Sequence, residues 1–174
     1  MKKFVLLAML LFATMLSVAQ VVGMGDPDDR QKFAGIGNLQ LESGAVIQDC
    51  AIGFRAYGRL NNDKSNGVLF PSWFAGTARD VDQYATPWVV VDTSKYCLII
   101  ADALGDGVST SPSNSSRQPG PQFPLFSIRD IVKSQYLLLT KTFGIKHLHA
   151  VIGISMGPCR LFSGGSATPD LPGG

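Results

Sequence analysis

A five-residue motif near the end of the chain, Gly153-Ile154-Ser155-Met156-Gly157, constrains the fold more than any other feature of the sequence. It directly follows the apolar residues 150–152. Glycines around a serine after a strand are typical of a nucleophile elbow, a tight strand-to-helix turn that exposes the hydroxyl and leaves no room for larger neighbours. Such a turn aims the backbone N–H of Met156 at a developing oxyanion. The alternative, a glycine- and serine-rich turn without chemistry, is disfavoured by the elements that precede the motif.

The segments before the motif predict several strands. AVIQDCAIGFRAYGRLNN (45–62) alternates as one or two antiparallel strands do, and GVLFPSWFAG (67–76) predicts a short apolar strand running into a loop. YCLIIAD (96–102) is a continuous apolar run, typical of a strand buried on both faces. Residues 108–125 are rich in Ser, Pro and Gly, and a loop of this length is usually functional or mobile.

Residues 127–145 predict the clearest helix. Ser127 is placed to cap its start, with Asp130 near the positive end of the helix dipole, and Gly144 is placed to end it. KHLHAVIGIS (146–155) then predicts another buried strand, so helix and strand follow each other as in a mostly parallel α/β sheet. The predicted apolar face of the helix comprises Ile128, Ile131, Val132, Leu138 and Leu139.

The N-terminal residues have the pattern of a secretory signal peptide. Two lysines precede an apolar run from Phe4 to Ala13, and Ser17-Val18-Ala19 forms a small-x-small end. A membrane-spanning helix needs about 20 apolar residues, more than this run supplies. We therefore expect residues 1–19 to be cleaved after Ala19, the protein to be exported to the periplasm or the medium, and no stable membrane anchor. Residues 20–37 are polar and glycine-containing and predict an irregular lead-in.

Composition and residue spacing disfavour three other features: a nucleic-acid partner, a disulfide framework and a metal site. The 15 Lys and Arg and 13 Asp and Glu give a net charge of +2, and the basic residues are scattered, so no nucleic-acid partner is expected. Cys50, Cys97 and Cys159 are too irregularly spaced for a disulfide framework, and the first two lie in apolar segments where buried free thiols are the commoner outcome. No Cys/His spacing predicts a metal site.

A second oxyanion donor is expected in the loop after an earlier strand. LFPSWFAGT (69–77) is the candidate loop, and the backbone N–H of Trp73 is the predicted donor. Alternatively, Trp73 and Phe74 only line the wall of a pocket at the same position.

Four segments together resemble the homoserine O-acetyltransferase family of α/β-hydrolase-fold proteins: LESGAVIQDCAIGFRAYGRLN, DTSKYCLIIADALGDGVSTSPSN, FPLFSIRDIVKSQYLLL and GIKHLHAVIGISMG. The resemblance covers residues 38–157. It implies the N-terminal part of an α/β-hydrolase domain that stops after the elbow, with the lid and C-terminal half absent. It also implies that Ser155 takes an acyl group from acetyl-CoA or another small donor and passes it to a hydroxyl acceptor, with no bound cofactor.

Two departures from the family favour an alternative activity. Biosynthetic members work in the cytoplasm, where acetyl-CoA is found, whereas this sequence carries an export signal. The loop PSWFAGT also lacks the histidine of the biosynthetic members. An exported serine esterase or other hydrolase of the same fold is therefore the alternative to the acyltransferase.

The residues after Ser155 lack part of the expected catalytic machinery. This fold places an acid and then a histidine after the serine, but residues 156–174 contain one acid, Asp170, and no histidine. His147 and His149 precede the serine on the strand that feeds the elbow, from which a side chain cannot return to it. Because a serine hydroxyl without a base is a poor nucleophile, we expect the chain itself to be an inactive fragment.

The tail from Pro158 to Gly174 departs from the family pattern, with glycine pairs and prolines where a helix and the next strand are needed. Codons chosen for residues 158–169 and read from their third base give MQAFQWGVSYP, which resembles the family's helix after the elbow. We interpret residues 158–174 as an out-of-frame tail that follows one missing base near the codons for Gly157 and Pro158. A natural short protein is the alternative.

Overall fold

A computed structural model describes residues 31–85 and 90–154 of the 174-residue chain. Within these residues, five strands and two helices form one sheet with a helix on each face. In the same residues, no helix is long and apolar enough to cross a membrane. The elements are β1 (Lys32–Gln40), β2 (Val46–Tyr57), β3 (Gly67–Pro71), α1 (Ala78–Ala85), β4 (Cys97–Ala101), a 3₁₀ turn (Gly120–Gln122), α2 (Ile128–Leu137) with a π-helical extension (Leu138–Phe143), and β5 (Ala150–Val151).

The strands lie in the order β1-β2-β4-β3-β5. β2 is antiparallel to β1 and β4, whereas β3 is parallel to both β4 and β5. The short connection between β1 and β2 permits a hairpin, while each pair of parallel strands needs a crossover, which α1 and α2 supply. This mixed sheet confirms the predicted α/β class, including the antiparallel pairing predicted for residues 45–62.

The core has two parts, one on each side of the sheet. Alternate residues of β4 serve both: Ile99 lies in the larger part, which α2 covers, and Ile100 lies in the smaller part, which α1 covers. All five residues of β4 are buried, so the prediction of a strand covered on both faces is confirmed. In the larger part, the rings of Phe54 and Phe143 meet edge to face at 5.3 Å.

The sequence prediction for residues 20–37 is wrong from residue 32 onward, because β1 begins there. Glycine has a low strand propensity, so the glycines of this segment make its sequence unlike that of a typical strand. Gly37 adopts φ 80°, and the register with β2 shifts on both sides of it. In a regular strand, residues three positions apart point to opposite faces. The bulge at Gly37 lets Ile36 and Leu39, which are three positions apart, both be buried. Pairing with β2 therefore decides the conformation of this segment.

Helix α2 has the predicted capping box. Ser127 Oγ accepts from the N–H of Asp130 at 3.2 Å, and Asp130 Oδ2 accepts from the N–H of Ser127 at 2.8 Å. Gly144 ends the helical segment in the left-handed conformation, as predicted. Ile128 is 44% exposed, contrary to its predicted place on the buried face. It lies in the first turn, which contacts the polar β1–β2 connection through Glu42 rather than the apolar sheet.

β5 is shorter and less buried than the sequence predicts. Only Ala150 and Val151 pair with β3, and both are half-buried. The apolar run indicated a strand covered on both faces, but β5 stands at the end of the described sheet, where only one side has a neighbouring strand. Cys50 and Cys97 are buried free thiols, as predicted, and Cys159 lies outside the described residues.

Candidate active site

Three parallel strands bring their carboxyl ends to one edge of the sheet. β3 lies between β4 and β5, with Leu69 opposite both Ile99 and Val151. Ligands of open α/β sheets bind outside this edge. The N–H of Ile152 donates to the carbonyl of Leu69 at 2.9 Å, so the chain is still attached to β3 as it approaches the motif. Ser155, the predicted nucleophile, and Met156 lie outside the described residues.

The loop that follows β3, residues 72–77, is called here the β3 loop. Its first residue, Ser72, is fully buried. The backbone N–H of Ser72 donates to the carbonyl of Ala101 at 2.9 Å, and its hydroxyl accepts from the N–H of Ala103 at 3.1 Å. The start of the loop is therefore fixed to the end of β4.

The middle of the β3 loop is a tight turn. The N–H of Gly76 donates to the carbonyl of Trp73 at 3.2 Å, and Ala75 adopts φ 58° between them. A side chain at Gly76 would overlap the Trp73 indole, so glycine lets the ring lie across the turn. The half-buried ring packs on the smaller part of the core, whereas Phe74 is 73% exposed. Trp73 therefore packs on the core and Phe74 does not, while the oxyanion role of the Trp73 N–H and the alternative of a pocket wall both stay predictions.

The end of the β3 loop is the start of α1, a helix that the sequence analysis did not predict. Asp80 Oδ2 accepts from the N–H of Thr77 at 2.8 Å, and Thr77 Oγ1 accepts from the N–H of Asp80 at 3.3 Å. These reciprocal bonds form a capping box, and the Thr-x-x-Asp spacing is its signal in the sequence. The hydrogen bonds from Thr77 hold the pKa of Asp80 below its usual range.

Asp102 lies immediately after β4 and joins the β3 loop to the sheet. It is fully buried. Its Oδ1 accepts from the N–H of Ala78, the first residue of α1, at 2.5 Å, and its Oδ2 accepts from the Gln31 side chain at 2.6 Å. Burial raises the pKa of Asp102 to about 6, opposed in part by these hydrogen bonds. A buried carboxylate therefore stands at the edge of the sheet where the parallel strands have their carboxyl ends.

The chain beyond Asp102 is held against β2 by polar side chains. Thr110 exchanges two hydrogen bonds with the backbone of Ala51, at 2.9 and 2.8 Å, and Ser109 Oγ accepts from the N–H of Gly53 at 3.0 Å. The Asn114 side chain donates to the carbonyl of Ser109 at 3.0 Å. The first part of the long loop predicted at 108–125 is thus fixed by side-chain hydrogen bonds.

The two histidines lie near the opposite edge of the sheet. The N–H of His149 donates to the carbonyl of Gly67, the first residue of β3, at 2.8 Å. Its ring contacts that of Tyr96, with centroids 4.6 Å apart. His147 is exposed on the segment before β5. Because Ser155 lies outside the described residues, the expectation that neither histidine reaches it stays a prediction.

Asp102 and Ser72 are site residues that the sequence analysis did not single out. Each is the first polar residue after a buried apolar strand, and that position is the only local signal for them. Their partners are far away in the sequence, because Asp102 is 24 residues from Ala78 and Ser72 is 31 residues from Ala103. Only the parallel pairing of β3 with β4 brings these groups together.

Comparisons with known proteins agree with this architecture, although no protein-family model matches the chain. The chain is 39% identical over 142 residues to the ethyl acetate hydrolase of Pseudomonas veronii, covering 80% of this chain and 41% of that protein. It is 34% identical over 152 residues to the homoserine O-acetyltransferase of Mycobacterium bovis, and the match covers 78% of this chain and 40% of that protein. An acetylester hydrolase structure from Corynebacterium glutamicum superposes with a TM-score of 0.68 at 38% identity, covering 75% of this chain and 38% of that one.

The chain spans about two fifths of the length of these proteins. The matches include both esterases and homoserine O-acetyltransferases, which share the α/β-hydrolase fold. The strand order, the predicted elbow after β5 and these likenesses agree on one assignment. The chain belongs to the homoserine O-acetyltransferases and related esterases of the α/β-hydrolase fold, and corresponds to their N-terminal part.

Proposed function

We propose that Ser155 is the nucleophile of an acyl-transfer reaction on a small ester. The observation that carries the proposal is the parallel pairing of β5 with β3: the motif 153–157 follows β5 in the sequence, and the β3 loop follows β3 at the carboxyl edge of the sheet. In this fold the nucleophile and an oxyanion donor come from these two neighbouring loops. The hydrolases and acyltransferases among the relatives support the same chemistry.

The proposed reaction has two steps. The Ser155 Oγ attacks the ester carbonyl carbon and gives up its proton to a base, and the alkoxide leaving group takes a proton and departs as an alcohol. The backbone N–H groups of Met156 and Trp73 donate to the carbonyl oxygen while it carries negative charge. Water or an acceptor hydroxyl then attacks the acyl-serine, releasing an acid or a new ester and restoring Ser155.

We propose hydrolysis of acetyl esters as the activity of the complete domain. The relatives named ethyl acetate hydrolase and acetylester hydrolase are 38–39% identical to the chain, whereas the homoserine O-acetyltransferases are 30–34% identical. Transfer of an acetyl group from acetyl-CoA to a hydroxyl acceptor is the second candidate, because those transferases match the same part of the chain. p-Nitrophenyl acetate with and without an added alcohol separates the two. Formation of the alcohol's ester without release of acetate would favour the transferase.

We further propose that the chain does not turn over ester by itself, because no histidine follows Ser155. Release of p-nitrophenolate from p-nitrophenyl acetate by the full chain, measured as equivalents per chain, tests this, with Ser155→Ala as the control. Turnover by the chain that disappears in Ser155→Ala would contradict it. The nucleotide sequence around the codons for Gly157 and Pro158 tests the proposed frameshift directly. A confirmed, uninterrupted frame through residue 174 would end that explanation.

Export is proposed on the sequence pattern of residues 1–19, which lie outside the described residues. Expression of the full chain in a bacterial host, followed by cell fractionation and N-terminal sequencing, tests it. The expected product begins at Gln20 and is found outside the cytoplasm. An uncleaved chain in the cytoplasm would contradict the proposal.

A further inference from the structure

We propose that Asp102 is a positioning residue for the β3 loop, which it fixes by holding the first residue of α1. The proposal rests on the proposed function, in which this loop supplies an oxyanion donor. Only if that function holds does the position of the loop affect catalysis. Asp102 touches no substrate in this scheme. It acts through the backbone that carries Trp73.

The contact between Asp102 and Ala78 is buried on both sides. Each residue is 0% exposed, and Asp102 Oδ1 lies 2.5 Å from the Ala78 nitrogen. The capping box of Thr77 and Asp80 serves the neighbouring N–H groups, so Asp102 supplies a separate acceptor to the first turn of α1. Without that acceptor a buried N–H would lose its partner, which favours release of this turn.

The β3 loop is short and is held at both ends. Ser72 is tied to Ala101 and Ala103 at one end, and Ala78 is tied to Asp102 at the other, so only residues 73–77 lie between the two attachments. Ala75 adopts a left-handed conformation inside this span. A non-glycine residue keeps that conformation only when its surroundings enforce it. Releasing the Ala78 end therefore lets the turn relax and moves the Trp73 backbone.

The carboxylate is itself held in one orientation. Its second oxygen, Oδ2, accepts from Gln31 at 2.6 Å, and the Gln31 Oε1 in turn accepts from Arg55 Nε at 3.4 Å. Across the sheet, a Cβ at Gly53 would lie only 2.6 Å from Oδ2, so the absence of a side chain there makes room for the carboxylate. These contacts leave Oδ1 directed at α1.

Hydrogen–deuterium exchange of the full chain tests the proposal without requiring catalysis. The Gly76 amide, which closes the turn at the Trp73 carbonyl, reports release of the loop. In Asp102→Leu its exchange should rise about 5- to 150-fold, as expected when a buried hydrogen bond is lost. In Asp102→Asn, which keeps an acceptor for Ala78, it should remain near that of the parent chain.

Asp130→Leu is the matched control. Asp130 is also buried and also accepts from backbone N–H groups, those of Ser127 at the start of α2 and of Glu42 in the β1–β2 connection, but it lies on α2. Its substitution should leave Gly76 exchange unchanged. If Asp102→Leu does not fold, Gly76 exchange is measured in Ala78→Pro instead. Proline is tolerated at the first helical position and has no N–H, so it removes the same hydrogen bond from the donor side.

The proposal is overturned if Gly76 exchange is unchanged in the folded Asp102→Leu chain, or in Ala78→Pro where that variant decides. It is also overturned if Asp130→Leu raises Gly76 exchange as much as the loop variants do. These results are distinct from failure of the proposed function, which is measured separately by acylation of Ser155. A complete domain in which Ser155 is never acylated would refute the catalytic role while leaving the exchange result intact.

Discussion

Replacing Asp102 with asparagine should change how the stability of the fold depends on pH. Burial is the main reason that the pKa of Asp102 is raised from 3.8 to about 6. Two charged groups act on it in opposite directions: Asp106 raises the pKa, and Arg55, which is paired with Asp82 at 3.0 Å, lowers it. Asparagine has nearly the same shape and does not titrate, so the substitution isolates the cost of the charge.

The sign and size of this pH effect on the free energy of unfolding follow from proton linkage. Between pH 4 and pH 6 the folded state retains a proton that the unfolded state has lost, so this group's contribution to the free energy of unfolding falls as pH rises. The contribution is fully present below pH 3.8, is lost through pH 6 and is constant above it. The rise of the pKa from 3.8 to about 6 corresponds to about 3 kcal/mol of unfolding free energy, because a tenfold change in an equilibrium constant is about 1.4 kcal/mol. The free energy of unfolding of Asp102→Asn, minus that of the parent, should therefore grow by up to this amount between pH 4 and pH 7.

Urea unfolding followed by circular dichroism at pH 4, 5, 6 and 7 measures this difference. Asp80→Asn is the control of opposite sign, because hydrogen bonds from Thr77 hold the pKa of Asp80 below its usual range. That substitution should cost stability at neutral pH, and the cost should stay nearly constant down to pH 4, because the contribution of Asp80 is lost only as the pH falls from 3.8 through the lowered pKa. An Asp102→Asn difference that stays constant across the four pH values would refute the reasoning.

Three further predictions concern the core. Leu138→Ala should lower the free energy of unfolding by about 2–5 kcal/mol, because Leu138 is fully buried. Leu125→Ala, at a side chain that is 92% exposed, should change it by less than about 0.5 kcal/mol, and equal urea midpoints for the two variants would contradict this. Gly53→Ala should destabilise the fold by about 1–3 kcal/mol, since the added Cβ meets the buried carboxylate, and an unchanged melting temperature would count against that contact. Burial raises the pKa of the Cys50 and Cys97 thiols to about 11, so at pH 8 iodoacetamide should alkylate both only after denaturation, as peptide mass spectrometry would reveal.

The elements predicted correctly are those whose signals are local. The run at β4 is apolar without interruption, which a strand covered on both faces requires. At α2, Ser127 and Asp130 are one helical turn apart, so their spacing alone predicts the capping box. Thr77 and Asp80 have the same spacing at the start of α1, so the start of that helix could have been predicted in the same way.

The elements predicted incorrectly depend on what lies beside them. β1 contains glycines that weaken its pattern, and only its pairing with β2 makes it a strand. β5 is apolar, but it has a neighbouring strand on one side only in the described sheet, which leaves it half-buried. Ile128 fits the apolar face by periodicity, yet its turn lies against the polar residue Glu42. In each case the burial of a residue is a property of its neighbours in space.

The sequence by itself determined the fold class and the candidate nucleophile, because the glycines around Ser155 and the apolar runs before it are contiguous signals. The tertiary structure alone decided that Asp102 holds the start of α1 and that Ser72 is tied to the end of β4. These contacts join residues 24 to 31 positions apart, which become neighbours only when β3 and β4 pair in parallel. A buried hydrogen bond of this kind leaves no periodicity or spacing in the sequence, since its geometry is set by the sheet and not by the local chain.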